Sequence, residues 1–232
     1  MICDWVDLGL VEYDRAFRFQ ELVHEKRCAG VIPDAIIIQI NPPVVTIGRS
    51  GSRANLKVTE EALSEMGVRV IQVSRGGDVF YHGPGQLVIS PVLGLRELGL
   101  DLRRYVHRLE QVVINLLQGY GIEAGRIVGL PGVWVGSRKI AALGIAVRRG
   151  VTLHGVSLNV QPDLGHFDWI TPCGLDGYGV TSMAACLGRS LDEQRLKLEF
   201  LREFGAEFGM DMSSAHSLSE WWSSCTQGRG SS

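Results

Sequence analysis

Residues 132–160 read GVWVGSRKIAALGIAVRRGVTLHGVSLNV, three short apolar runs separated by Gly136 and by Arg149-Gly150. Runs of this length, bounded by glycine-containing turns and with no helical pattern between them, are the signature of an antiparallel hairpin or meander rather than of βαβ units. The segment predicts an α+β fold.

The flanking sequence agrees. YDRAFRFQELVHEKRCAG (13–30) has the apolar spacing of an amphipathic helix, and DAIIIQINPPVVTIGRS (34–50) reads as a buried strand broken by Pro42 and Pro43. VRVIQV (68–73) predicts a strand, and SRGGDVFYHGPGQLVISPVLGL (74–95) predicts a Gly-rich turn into another. DLRRYVHRLEQVVINLLQGYG (101–121) predicts a helix closed by glycine, and SLDEQRLKLEFLREFGAEFGM (190–210) a further one. Neither a repeat nor a linker divides the chain, so the expectation is one domain over residues 1–212 and a Ser/Gly-rich tail over 213–232.

A chain of 232 residues with 45% hydrophobic and 21% charged residues can bury a full core. The formal net charge of −2 gives no sequence-wide attraction for nucleic acid or an anionic membrane. AIIIQI (35–40) is too short to span a bilayer and no secretory leader pattern opens the sequence, so the expected location is cytoplasmic.

Cys3, Cys28, Cys173, Cys186 and Cys225 are odd in number, widely spread and never in a C-x-x-C pair, which speaks against a disulfide framework and a zinc site. Four of them read as packing residues, Cys186 among small apolar neighbours. Cys173 differs, standing between Pro172 and Gly174 in the turn-rich ITPCGLDGYGVTSM (170–183).

The glycines of 74–95 permit backbone conformations closed to other residues and let the main chain approach a ligand. They match neither the G-x-x-x-x-G-K-[ST] phosphate loop nor the G-x-G-x-x-G fingerprint, so nucleotide binding has no direct support in the sequence. His82 sits among them. Lys139 stands at a strand entry, where lysine is normally solvated; facing inward, it needs an anion, which a Cys173 thiolate could supply. A thiol of pKa ~8.5 is only a few per cent ionised near neutrality. An ammonium ~4 Å away stabilises the thiolate by up to about 4 kcal/mol at an effective dielectric of ~20. A Cys–Lys pair is therefore a sufficient nucleophile, and a Cys–His pair using His82 or His154 stays open.

Three motifs, RGGDVFYHGPGQLVISPV (75–92), GLPGVWVGSRKIAALGIAVRRGVTLHGVSLNV (129–160) and ITPCGLDGYGVTSM (170–183), together resemble the octanoyl-[acyl-carrier-protein]:protein N-octanoyltransferases, the lipoate-protein ligase B or lipoyl(octanoyl) transferase family. The likeness spans roughly residues 35–190. It implies the biotin/lipoate protein ligase fold (class II aminoacyl-tRNA synthetase-like), a mostly antiparallel sheet flanked by helices. It also implies transfer of an octanoyl or lipoyl group from acyl carrier protein to a lysine of lipoyl domains, those of 2-oxo acid dehydrogenase E2 subunits and glycine cleavage H protein, through a cysteine thioester. No cofactor, metal, nucleic acid or membrane is implied. By the same resemblance Cys173 is the nucleophile and Lys139 the base. The acyl pocket would be lined by Arg75, Gly76, Gly77, Asp78, Val79, Phe80, Tyr81 and His82, by Ala142, Leu143 and Gly144, and by Gly155, Val156 and Ser157, with backbone N–H groups near the thioester carbonyl. Phe80 departs from the threonine usual in the family. A donor as acidic as acyl carrier protein calls for a local basic patch, with Arg138, Arg148 and Arg149 as candidates ahead of Arg103 and Arg104.

Overall fold

The structure, a computed structural model, describes residues 1–171, 178–214 and 218–222. In chain order the elements are β1 (Ile2–Leu10), α1 (Tyr13–Cys28), β2 (Asp34–Ile40), β3 (Val44–Ile47), α2 (Glu60–Glu65), β4 (Arg69–Gln72), β5 (Val79–His82), β6 (Gln86–Val92), α3 (Leu102–Gly119), β7 (Gly125–Ile127), β8 (Leu130–Val135), β9 (Arg138–Arg148), β10 (Val151–Asn159), β11 (Gly179–Val180), α4 (Met183–Leu187), α5 (Glu193–Phe208) and β12 (Asp211–Ser214).

The meander forms as its sequence predicts. Arg148 pairs with Val151 across a two-residue loop in which Arg149 (φ 56°) and Gly150 (φ 78°) both occupy the left-handed region. That is the geometry of a type I′ turn, whose twist matches that of the strands it joins. β8, β9, β10 and β6 then pair antiparallel in sequence, and β2 continues the antiparallel run. The large sheet runs β12-β1-β2-β6-β10-β9-β8-β7, with β11 beside β9, and a small sheet runs β4-β3-β5. Among the described residues, parallel pairing is confined to β12–β1–β2, β11–β9 and β3–β4. Pro42 and Pro43 lie where the chain leaves the large sheet for the small one, since proline cannot donate to a ladder.

β2 shows why an unbroken apolar run is a strand here. Ile36 and Ile38 enter the core beneath α3 and α5, whereas Ala35 and Ile37 pack with Ala16, Phe19 and Val23 of α1. Successive side chains point to opposite faces, and helices cover both.

β1 and β5 are not legible in the sequence. Asp4 and Asp7 interrupt the apolar alternation of β1, and the structure answers one of them: Asp7 accepts a hydrogen bond from Lys197 of α5 at 2.6 Å. β5 is hidden within the glycine-rich stretch. Cys186 also differs from expectation, because α4 turns Met183 inward and leaves Cys186 exposed. β12 crosses the 212/213 division, and beyond it Leu218 is buried against α1, with Trp222 edge-on to Phe19 at 5.3 Å. Among the described residues no helix is long and apolar enough to cross a membrane.

Candidate active site

Lys139 is the second residue of β9, and it faces inward, only 6% exposed. On one side lies β8, whose Trp134 pairs with it in register and presents its ring 4.7 Å from Nζ. An ammonium over an indole face is attracted by the ring quadrupole, the more so when shielded from water. On the other side β11 places Val180 opposite Lys139, and the Thr181 N–H donates to the Lys139 carbonyl at 3.0 Å. Gly132 makes room for the lysine stem: a Cβ there would stand 3.2 Å from Lys139 Cε and 2.8 Å from the Ala141 carbonyl oxygen, and its φ is +126°.

Cys173, with Pro172 and Gly174, lies outside the described residues. The described chain on either side is tied down. The Thr171 N–H donates to the Asn55 carbonyl at 2.8 Å, and Tyr178, five residues after Cys173, sets its ring edge against Trp134 at 5.3 Å.

Two narrow cavities share Phe80, Ala142 and Ser157 as a common wall. One is bounded by Lys139, Val79, Tyr81, Gln86, Asn159 and Phe167. The other runs toward α1 and is lined by Arg75, His82, Gly144, Gly155 and Val156, together with Tyr13, Phe17 and His154. Gly76, Gly77, Asp78 and Leu143 line neither. Asp78 turns away to accept hydrogen bonds from the Ser52 N–H and Asn55 Nδ2. Leu143 belongs to the main core, as the alternation of β9 requires when Ala142 and Gly144 face the cavity. The Gly76 N–H, one of the expected carbonyl-facing donors, is used on the Ile145 carbonyl at 2.9 Å.

Arg75 is buried and donates to the Thr46 carbonyl and Oγ1, both at 2.8 Å, and to the Gly76 carbonyl at 3.0 Å. Its guanidinium carbon lies 3.7 Å from the centre of the Phe80 ring. Burial and the Arg75 charge push His82 down to about 3. Burial first, then Arg75 and Arg49, does the same to His154. Both imidazoles are therefore neutral near neutral pH. His154 is stacked on Phe17 at 4.9 Å and holds a left-handed backbone (φ 59°) while its N–H donates to Gln20 Oε1.

The aromatic wall from α1 was missed in the sequence because Tyr13 and Phe17 read there simply as the apolar stripe of an amphipathic helix. The expected basic rim changes as well. Arg138 is exposed beside Lys139. Arg148 and Arg149 close the far end of β9, roughly 30 Å away at about 3.3 Å per residue, with Arg148 3.5 Å from Glu21.

The family model of the lipoyl protein ligase A/B catalytic domain matches residues 12–205. The chain belongs to this family. Its relatives include proteins named octanoyltransferase from Caldicellulosiruptor saccharolyticus, 46% identical over 204 residues that make up 87% of each chain, and from Solibacter usitatus, 46% identical over 217 residues, or 93% and 97% of the two chains. Among solved structures, a lipoate-protein ligase A bound with ATP superposes with a TM-score of 0.79 at 17% identity, covering 98% of this chain and 95% of that one. The biotin protein ligase of Aquifex aeolicus with biotin and ATP superposes at 0.53 and 13% identity, over 90% and 70%. At these identities the likeness shows the fold of the lipoyl protein ligase family, the sheet flanked by helices that the sequence predicts.

Proposed function

We propose that this family member is an octanoyltransferase working through a Cys173–Lys139 dyad. Octanoyl-acyl carrier protein is the donor, and a lysine of a lipoyl domain is the acceptor. The Cys173 thiolate attacks the thioester carbonyl; collapse of the tetrahedral intermediate expels the pantetheine thiolate, which takes the Lys139 proton. Neutral Lys139 then accepts a proton from the incoming lysine amine as that amine attacks the acyl-cysteine, and the thiolate–ammonium pair is restored. Exchange between thioesters is nearly balanced and amide formation runs downhill, so the sequence of steps needs no ATP.

The observation that carries this reading is the inward-facing, buried Lys139, bordering an apolar cavity and flanked by the strand into which the chain runs just after Cys173. The neutral state of His82 and His154 supports lysine over either histidine as the cation beside a thiolate. The octanoyltransferase relatives supply the acyl group.

The fold is shared with an ATP-bound ligase, which favours one competing reading, activation of free acid as an adenylate. The test offers a lipoyl domain either octanoyl-carrier protein without nucleotide, or octanoate with ATP. Octanoyl-lysine formed only in the first mixture is expected; product and pyrophosphate only in the second would establish the ligase.

A further inference from the structure

The two cavities measure about 30 Å³ on the Lys139 side and about 40 Å³ on the α1 side. At roughly 10–15 Å³ per water-sized group, each takes about three such groups. The two together take about six such groups, so the seven carbons beyond the carbonyl of an octanoyl chain exceed either alone and come close to the capacity of both. The chain must run from one into the other, past their shared wall of Phe80, Ala142 and Ser157.

The other two residues of that wall offer only a methyl and a hydroxymethyl group, so the phenyl ring is its bulkiest part. It is also fixed in place. The Arg75 guanidinium lies over it at 3.7 Å, and two glycines allow it to sit where it does: a Cβ on Gly77 would come 3.3 Å from Phe80 Cζ, and one on Gly144 3.0 Å from Cε2. Arg75 is itself held on Thr46 and Gly76. A ring packed this way does not swing aside without disturbing buried hydrogen bonds.

We propose that Phe80 is a specificity-determining neck, which admits an unbranched acyl chain and rejects one with a bulky end. The inference rests on the acyl-transfer reading above. A lipoyl group has the same eight carbons as octanoyl, but its far end is closed into a five-membered dithiolane ring. To occupy the α1-side cavity that ring must pass Phe80, whereas a polymethylene chain passes in its extended form. Phe80 thus biases the site toward octanoyl over the lipoyl group that the family resemblance also allows.

The experiment compares kcat/KM for octanoyl, 7-methyloctanoyl and lipoyl thioesters of carrier protein in the wild type, Phe80→Thr and Phe80→Leu, with melting temperatures to establish folding. Phe80→Leu keeps an apolar side chain while removing the ring's breadth. In the wild type, octanoyl is expected to exceed lipoyl by tenfold or more, with 7-methyloctanoyl between. Both variants are expected to raise the lipoyl-to-octanoyl ratio at least tenfold. Comparable wild-type rates for all three donors, or an unchanged ratio in a folded variant, overturns the neck while leaving octanoyl transfer standing. No octanoyl transfer by the wild type overturns the acyl-transfer reading itself.

Discussion

Gly144 of β9 and Gly155 of β10 stand opposite each other across the hairpin, and each is glycine for a different reason. A Cβ on Gly155 would fall 2.0 Å from the Ile89 carbonyl oxygen, part of the backbone of the central strand β6. A Cβ on Gly144 would meet side chains, Arg75 Cδ at 2.6 Å and Phe80 Cε2 at 3.0 Å. Backbone in a mid-sheet strand cannot give way without breaking its ladder, so Gly155→Ala should cost about 3 kcal/mol, at the upper end of overpacking. Gly144→Ala must displace Arg75 from its buried hydrogen bonds and should cost about 2 kcal/mol, less than Gly155→Ala, while also impairing acyl transfer. Denaturant midpoints with unchanged slopes check both; equal losses of stability would show that the two positions are not distinguished in this way.

His82 and His154, buried beside the cavity, predict acid sensitivity, and His24, whose pKa burial also lowers, adds to it in the same direction. His82 and His154 each have a native pKa depressed from 6.5 to about 3. Below pH 6.5 the unfolded chain therefore binds protons that the native state refuses. The stabilisation is complete above that pH and is lost as pH falls toward 3, at up to about 1.4 kcal/mol per pH unit for each histidine. Urea midpoints should already drop between pH 7 and pH 5, above the range where carboxylates titrate. A flat midpoint over that interval would contradict the neutral buried state.

The C-terminal segment presents stability and chemistry as separate questions. We propose that transfer does not need the residues beyond 214, although the fold uses them. Leu218 is fully buried, Trp222 packs on Phe19, and the Arg15 guanidinium lies 5.1 Å from the Trp222 ring centre. Ending the chain after Ser214 should lower stability by about 3 kcal/mol, from the lost burial of Leu218 and the tryptophans. kcat at a temperature where the shortened protein stays folded should be within a few-fold of the full chain. A collapse of kcat under those conditions would give the segment a part in the site.

Lys139→Met removes the ammonium while keeping much of the stem's volume. Alkylation of Cys173, followed by peptide mass against pH, should shift upward by about one to three pH units, the size expected when an opposite charge within ~4–6 Å is deleted. An unchanged profile would mean that the two residues do not share a site.

The fold was legible where sequence carries a period. The hairpin around Arg149-Gly150, the helices at α1, α3 and α5, and the proline break between β2 and β3 all follow from local rules. What stayed hidden depends on partners far along the chain. β1 becomes a strand because β2 and β12 lie on either side of it and Lys197 answers Asp7. At the site, Lys139 could be singled out but its orientation could not, since Trp134, Gly132 and Val180 decide it. The motif reading of Asp78 and Leu143 as pocket residues treated a contiguous stretch as one surface; the strand period sends Leu143 into the core, and the 3-10 turn at Arg53–Asn55 draws Asp78 away. Arg148 and Arg149 show the opposite error, because residues on one extended strand are close in sequence and far apart in space.

The central claim is a covalent octanoyl group on Cys173, and intact mass tests it most directly. On mixing with octanoyl-carrier protein and no acceptor, the wild type should gain the mass of one octanoyl group, mapped to the peptide containing Cys173. Cys173→Ser should gain none, because a serine hydroxyl is scarcely ionised near neutrality. Transfer to a lipoyl domain that proceeds without this adduct, or that survives in Cys173→Ser, would contradict the acyl-enzyme account.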